Sequence, residues 1–244
     1  MRAASLLKFL PHPSSLTRTP SSSSLPPFTP NFNQPSNFPA IFSKIRVSAM
    51  STAANLGNSR EFALSSSSRL KIQQGDITQW SVDGSSDAIV NAANERMLGG
   101  GGVDGAIHRA AGTELKKACY KVPEVRPGVR CPTGEARITP GFRLPAAHVI
   151  HTVGPIYDVD KNPEALLKNA YKNSLLVAKE NNIQYIAFPA ISCGVYRYPY
   201  DEAANIAIST VKEFANDFKE VYFILFSDDI YNVWLEKAEA LVGN

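Results

Sequence analysis

The chain has 244 residues, with 25 Lys+Arg against 22 Asp+Glu and a net charge of +3, a length that suggests one or two domains. Residues 1–49 hold Arg2, Lys8, Arg18, Lys44 and Arg46 and no acid, so removing these five leaves 20 basic against 22 acidic groups, about −2 for the remainder; electrostatics gives no case for nucleic acid, and none is expected as a partner. Cys119, Cys131 and Cys193 form no C-x-x-C pair, which argues against a disulfide framework or a cysteine zinc site and for small buried hydrophobes.

Residues 1–49 are crowded with Ser and Pro and offer too little apolar surface to offset the entropy of ordering. Acid-poor, Ser-rich and basic composition is that of an organellar transit peptide. The stretch Ile45-Arg46-Val47-Ser48-Ala49-Met50 resembles a stromal processing site, so the chloroplast stroma is the expected location. The alternative is an untargeted arm with a start at Met50, which would leave the protein in the cytoplasm or nucleus. Runs such as Leu6-Leu7-Lys8-Phe9-Leu10 are too short and interrupted to span a membrane. Residues 50–68, ending in Ser65-Ser66-Ser67-Ser68, read as a linker, with the folded body at 69–244.

In that body Leu70 and Ile72 mark a short strand and Ala88-Ile89-Val90 a compact apolar one. Ile107, Ala111, Leu115 and Ala118 share one face of a helix over 104–121. Pro123, Pro127-Gly128 and Pro132 then break the chain. Residues 136–139 and 148–151 read as strands separated by the Pro140-Gly141 turn. Asn162-Pro163 opens a second helix as N-cap and first-turn proline, with Leu166, Ala170, Leu175 and Ala178 inward. Tyr185-Ile186-Ala187-Phe188 is a buried strand. Ala204, Ile208, Val211 and Phe214 carry a third helix, residues 221–226 form an apolar strand, and Tyr231, Trp234, Leu235 and Ala238 carry a last helix. Apolar strands alternating with amphipathic helices predict an α/β fold of three layers, its mixed, largely parallel sheet covered on both faces. Ligands in such sheets sit beyond the strands' carboxyl ends.

The unusual residues fall at that edge. Gly99, Gly100, Gly101 and Gly102 follow a buried strand and open a helix. A glycine run is costly in backbone entropy but lets the main chain approach a ligand and present its N–H groups. The helix N-terminus beneath favours an anion, most naturally phosphate. Gly100, Gly102 and Gly105 satisfy G-x-G-x-x-G formally, but the run starts far beyond its strand, unlike a tight dinucleotide turn. No Lys-Ser or Lys-Thr follows, which argues against a Walker-type ATPase. The plain alternative is a flexible surface loop. A second loop, Ser192-Cys193-Gly194-Val195-Tyr196, could add N–H donors and an aromatic wall.

Gly75-Asp76-Ile77-Thr78, then Asp87 through Asn94, then Gly99 to His108, resemble the signature of MacroD-type macrodomains. Pro132-Thr133-Gly134-Glu135-Ala136, His151-Thr152-Val153-Gly154-Pro155 and Phe188-Pro189-Ala190-Ile191-Ser192 continue it in order. The resemblance spans roughly 70–242. It implies ADP-ribose as ligand, with Asp76 accepting from the adenine amino group beside Ile77 and Phe226 lying against the adenine ring. The plain alternatives are a turn cap for Asp76 and a core residue for Phe226. The diphosphate would lie between main-chain N–H groups of Gly100, Gly101, Gly102 and Val103 and those of Ser192, Cys193, Gly194, Val195 and Tyr196. Asn91 and Asn94 would hold the distal ribose hydroxyls.

Asp104 and His108, four apart, share a helix face. The resemblance implies that Asp104 orients or activates a water near the distal ribose, a role the substrate phosphate could share, with His108 in support. Asp104 as helix cap and His108 as a structural residue remain open. No metal and no cofactor are implied. Two departures stand out: Cys193 where Thr is common, and Arg197 where Gly is common. Cys193 as a nucleophile lacks a His partner; Arg197 bears on substrate preference.

The expected function is hydrolysis of mono-ADP-ribose esters, either on Asp and Glu of modified proteins or in O-acetyl-ADP-ribose. The alternative is a non-catalytic reader that binds ADP-ribosylated proteins. A monomer is expected.

Overall fold

The computed structural model describes residues 58–243. The expected leader, its processing site at Ala49 and the first linker residues lie outside the described residues. In chain order the elements are β1 (Ser59–Ala63), β2 (Arg69–Gln74), a 3-10 turn (Ile77–Gln79), β3 (Asp87–Ala92), α1 (Gly102–Ala111), α2 (Thr113–Lys121), β4 (Ala136–Pro140) and β5 (His148–Thr152). Then come α3 (Pro163–Glu180), β6 (Tyr185–Phe188), α4 (Tyr200–Lys212), β7 (Glu220–Leu225) and α5 (Asp228–Val242). Among the described residues no helix is long and apolar enough to cross a membrane.

The strands form one mixed sheet in the order β1-β2-β7-β6-β3-β5-β4. The five inner strands are mutually parallel and the two edges antiparallel. Alternation along each strand sends side chains to opposite faces. Ala88 and Val90, Ile186 and Phe188, and Val221, Phe223 and Leu225 meet α3, α4 and α5 in one core. Ile89, Val149, Ala187, Tyr222 and Ile224 meet α1, α2, Ile77 and Trp80 in the other. Burying each large side chain contributes about 1.5–3 kcal/mol, so the two cores hold the helices to the sheet.

Two boundaries differ from the sequence reading. The folded body already includes residues 59–63, ahead of the expected start at 69: they pair antiparallel with β2 from Ser59↔Gln73 to Ala63↔Arg69. This edge strand is largely exposed and polar, so it carries no apolar alternation to announce it. The single helix over 104–121 is two, because Gly112 adopts φ +83 and ends α1 before α2 begins. Ala118 is accordingly only half-buried, and Cys119 takes the inward position. In α3, likewise, Leu167 is fully buried and Leu166 only partly, while Asn162 caps the helix by accepting from the Ala165 amide.

Candidate active site

All five parallel strands end at the same edge of the sheet, and the chain leaves each of them in a loop that carries predicted site residues or their neighbours. Neighbouring strands lie about 4.8 Å apart, so the edge from β2 through β7, β6 and β3 to β5 offers a trough roughly 19 Å long. Gln74 pairs with Leu225, and the Gly75 amide donates to the Leu225 carbonyl at 2.9 Å. Asp76 and Phe226 therefore emerge side by side at the β2–β7 end.

Asp76 is exposed, and its Oδ1 caps the 3-10 turn by accepting from the Thr78 amide (2.9 Å) and hydroxyl (2.8 Å). Phe226 is 86% exposed, so it is not a core residue. Ile77 is 4% exposed and packs with Trp80, which leaves only its main chain for contact at the rim.

Farther along lies a cavity of about 270 Å³, lined on one side by Asn94, Gly100–Asp104 and on the other by Ser192 and Gly194–Tyr196, with Gly154 between. Gly101 caps α1 with no side chain, so the first-turn N–H groups of the helix point toward the cavity without intrahelical acceptors. The helix dipole adds its positive end. Carbon added at Gly101, Gly102 or Gly194 would meet nothing within 4 Å, whereas carbon at Gly154 would come within 2.2 Å of Ser192 Oγ.

The opposite loop is bent sharply. Ser192 (φ +65) and Arg197 (φ +56) both take left-handed conformations, at a cost of about 1–3 kcal/mol each. The Ile191 amide donates to the buried Tyr171 hydroxyl (3.2 Å), Tyr198 N–H to Ser192 O (3.0 Å) and Arg197 N–H to Gly194 O (3.0 Å). Among the described residues the amides of Gly194, Val195 and Tyr196 form no hydrogen bond, so they remain free to serve an anion.

Asp104 is 3% exposed and closes the inner end of the cavity. The amide of Asn91 donates to its Oδ1 at 2.7 Å, and Oδ2 has no partner among the described residues. Carbon added at Gly100 would lie 3.0 Å from this Oδ2 and 3.2 Å from Asn94 Nδ2, so carboxylate and amide converge behind Gly100. Burial pushes the Asp104 carboxyl above its ordinary value, opposed by the Asn91 hydrogen bond and the His108 charge. His108 Nε2 stands 3.5 Å from Asp104 Oδ1, and burial holds this imidazole below its ordinary value. Both groups are drawn toward their neutral forms.

Several predicted residues take other places. Asn91 is fully buried and faces Asp104 instead of lining the cavity. Its β3 position puts it on the α1 side of the sheet, two residues beyond Ile89. Asn94 does line the cavity and also shapes the loop, donating to the Gly99 carbonyl (3.2 Å) and accepting from the Arg96 amide (3.1 Å). Gly99 (φ +88) and His108 sit behind the glycine loop, in a separate cleft with Arg109 and Lys116. Cys193 is 4% exposed within the α3–α5 core, and burial pushes its thiol up to about 12. Burial of this kind holds the sulfur as an unreactive thiol, against a role as nucleophile.

Sequence reasoning assigned no role to Thr139, Cys119 or His151. A histidine inside the apolar run His148-Val149-Ile150-His151 was the available signal. His108, Cys119 and His151 place their ligand atoms within 4.8 Å of one another. Both ring nitrogens of His151 are already engaged, however, by Asn91 (3.1 Å) and Thr139 (2.9 Å), so the cluster reads as a hydrogen-bonded core and not as a cation site.

The same architecture and motifs recur in known proteins. The Macro domain family matches residues 90–207. A macro domain-containing protein of Xanthomonas campestris is 51% identical over 68% of this chain and 93% of its own length. An O-acetyl-ADP-ribose deacetylase of Salmonella typhimurium is 52% identical over 66% of this chain and 89% of its own. Among solved structures, the Oceanobacillus iheyensis macrodomain with ADP superposes with a TM-score of 0.70 at 45% identity, covering 75% of this chain and 96% of that one. With identity near one half across nearly the full length of such relatives, and with the fold of a solved macrodomain matched over 75% of this chain, the chain belongs to the macrodomain family.

Proposed function

We propose that the protein binds ADP-ribose along the carboxyl edge of its sheet and hydrolyses esters made to the distal ribose, either in O-acetyl-ADP-ribose or on Asp and Glu side chains of mono-ADP-ribosylated proteins. Adenine lies at the Asp76–Phe226 end and the diphosphate between the free amides of the two loops. The distal ribose reaches Asn94 and Asp104. Neutral N–H donors let a body of about −2 net charge bind a dianion. The relatives named O-acetyl-ADP-ribose deacetylase support the choice of reaction.

One observation carries the catalytic reading. Asp104 is a buried carboxyl at the cavity wall with one oxygen tied to Asn91 and the other unpartnered. A carboxylate held like that accepts a proton from a water attacking the ester. The water oxygen bonds to the electrophilic carbon as its ester C–O bond breaks. The proton passes to Asp104 or to the substrate's phosphate, and the leaving oxygen takes a proton from solvent. The carboxylate's ordering by Asn91 costs nothing at the moment of reaction.

The composition of residues 1–49 supports action in the plastid stroma, and the domain is expected to work as a monomer. The deciding measurement is release of acetate from O-acetyl-ADP-ribose, and of ADP-ribose from an ester-modified protein, by wild type and Asp104→Ala. Loss of turnover in the variant with ADP-ribose binding retained supports the reading. Tight binding by wild type with no turnover of either ester would make the protein a reader instead.

A further inference from the structure

The register of the sheet brings a third layer of residues behind the cavity. Asn91 on β3 pairs directly with His151 on β5, and Thr139 on β4 pairs with Val149, two residues before His151. All three project to the face covered by α1 and α2. The chain of contacts is continuous and buried: Thr139 Oγ1 to His151 Nε2 at 2.9 Å, His151 Nδ1 to Asn91 Nδ2 at 3.1 Å, and Asn91 Nδ2 to Asp104 Oδ1 at 2.7 Å. Thr139, His151, Asn91 and Asp104 are each no more than 5% exposed.

We propose that His151, as the Nε2–H tautomer whose N–H the Thr139 hydroxyl accepts, is a positioning residue that keeps the nitrogen end of the Asn91 side-chain amide facing Asp104. The inference rests on the hydrolase reading for its kinetic consequence, but its geometry does not. The amide nitrogen of Asn91 has two hydrogens. One goes to Asp104 Oδ1, and the other points at His151 Nδ1, which must therefore accept. A neutral imidazole that accepts at Nδ1 carries its proton at Nε2, and the Thr139 hydroxyl oxygen is the acceptor within 2.9 Å of that nitrogen. The opposite tautomer would point N–H at Asn91 and draw the amide oxygen round. That oxygen would then face the Asp104 carboxylate, acceptor against acceptor.

Burial drives the His151 pKa down to about 3, with the nearby His108 charge adding to the effect. The ring is thus neutral across the working range and stays a hydrogen-bond relay with one orientation. Other groups that interact with Asp104 are His108 on its own helix, Cys119 on α2 and Tyr196 from the loop after β6, and Lys116 on α2 acts on His108. Cys119 Sγ lies 3.8 Å from His151 Nε2, a poorer acceptor than the Thr139 hydroxyl at 2.9 Å.

Thr139→Val removes the acceptor with little change of shape, and Thr139→Ser keeps it. In the full chain, nitrogen NMR should report His151 as Nε2–H in wild type and in Thr139→Ser, and a loss of that single tautomer in Thr139→Val. Carbon NMR of the Asp104 carboxyl should show it titrating at higher pH in Thr139→Val, because the Asn91 donor is no longer held on it. With O-acetyl-ADP-ribose, kcat should fall about tenfold, the acid limb of its pH profile should move up, and ADP-ribose affinity should stay within twofold; Thr139→Ser should restore all three. The idea is overturned if His151 is Nδ1–H in wild type, or if Thr139→Val leaves the tautomer and the Asp104 titration unchanged. It is equally overturned if kcat, affinity and melting temperature fall together without rescue by serine. A wild type inactive on every ester removes the hydrolase reading while the two NMR arms still decide the tautomer.

Discussion

Gly105 and Gly100 stand so close that no side chain fits between them: carbon added at Gly105 would lie 2.5 Å from the Gly100 carbonyl oxygen. The contact is backbone to backbone, so neither side can yield by rotating a side chain. It seats the first turn of α1 directly against the loop whose amides face the cavity. Gly105→Ala should push helix and loop apart. The expected cost is about 1–3 kcal/mol of stability and at least a tenfold loss of ADP-ribose affinity by calorimetry. Gly101→Ala is the contrast for the fold, because its added carbon meets nothing within 4 Å and its melting temperature should stay near wild type. An unchanged affinity in Gly105→Ala would remove the close approach from the account of binding.

Asp104 makes the site less stable than it could be. Burial raises its folded-state pKa above the ordinary value near 3.8. A group shifted in that direction favours folding below its unfolded pKa, and this contribution is lost as pH rises through the raised folded value. Wherever it is ionised, the buried carboxylate is therefore a net cost to folding. Asp104→Asn keeps an oxygen to accept from Asn91 and carries no charge. It should melt higher than wild type at pH 7 by roughly 2–4 °C, about 1 kcal/mol, while losing turnover. The gain should shrink as pH falls toward 4. Equal melting at pH 7 would show that the carboxylate is solvated well enough to carry no penalty.

Phe226 can be tested without disturbing the core. Its ring is 86% exposed and emerges beside Asp76 from adjacent strands. Stacking of a base on an aromatic side chain is worth about 1–3 kcal/mol. Phe226→Ala should weaken ADP-ribose and ADP by roughly five- to 150-fold, with stability inside 0.5 kcal/mol of wild type. Ribose 5-phosphate, which has no base, should bind both proteins alike. An unaltered ADP-ribose affinity would place the adenine elsewhere.

What could be read from the sequence follows from local chemistry. Residues 185–188 are an apolar run too short for a helix, and β6 spans Tyr185–Phe188 as expected. Asn162 before Pro163 fixes the start of α3 through a cap that needs two residues. Gly99 (φ +88) and Gly102 (φ +56) take left-handed conformations, which favour glycine, in the run that leads from β3 into α1. The misses are all matters of pairing. β1 is mostly polar and exists only because β2 offers it an edge. The apolar period of three and four runs straight through Gly112, where the chain turns at φ +83. Whether Asn91 faces the ligand or the α1 side depends on the pleat of β3, and its contact with His151 on the register between β3 and β5. A single chain does not display that register, so His151 and Thr139 stayed without a role.

Asp87 does its work at the other end of β3. It is fully buried, and its two oxygens accept from four backbone amides: Val82 (2.9 Å), Asp83 (3.2 Å) and Gly84 (2.9 Å) on Oδ2, and Ala147 (2.8 Å) on Oδ1. The carboxylate thus ties the loop entering β3 to the residue just before β5, at the edge of the sheet away from the cavity. Asp87→Ala leaves the Ala147 amide without its acceptor, while the exposed loop amides regain water. The expected loss is about 2–4 kcal/mol, read as a fall in melting temperature of roughly 5–15 °C. Asp87→Asn, which can still accept on one oxygen, should lose less. Since the damage lies a full strand length from Asn94 and Gly100, ADP-ribose affinity measured well below the melting transition should remain within twofold. A drop in affinity matching the drop in stability would mean that the β3–β5 tie also sets the register on which the site depends.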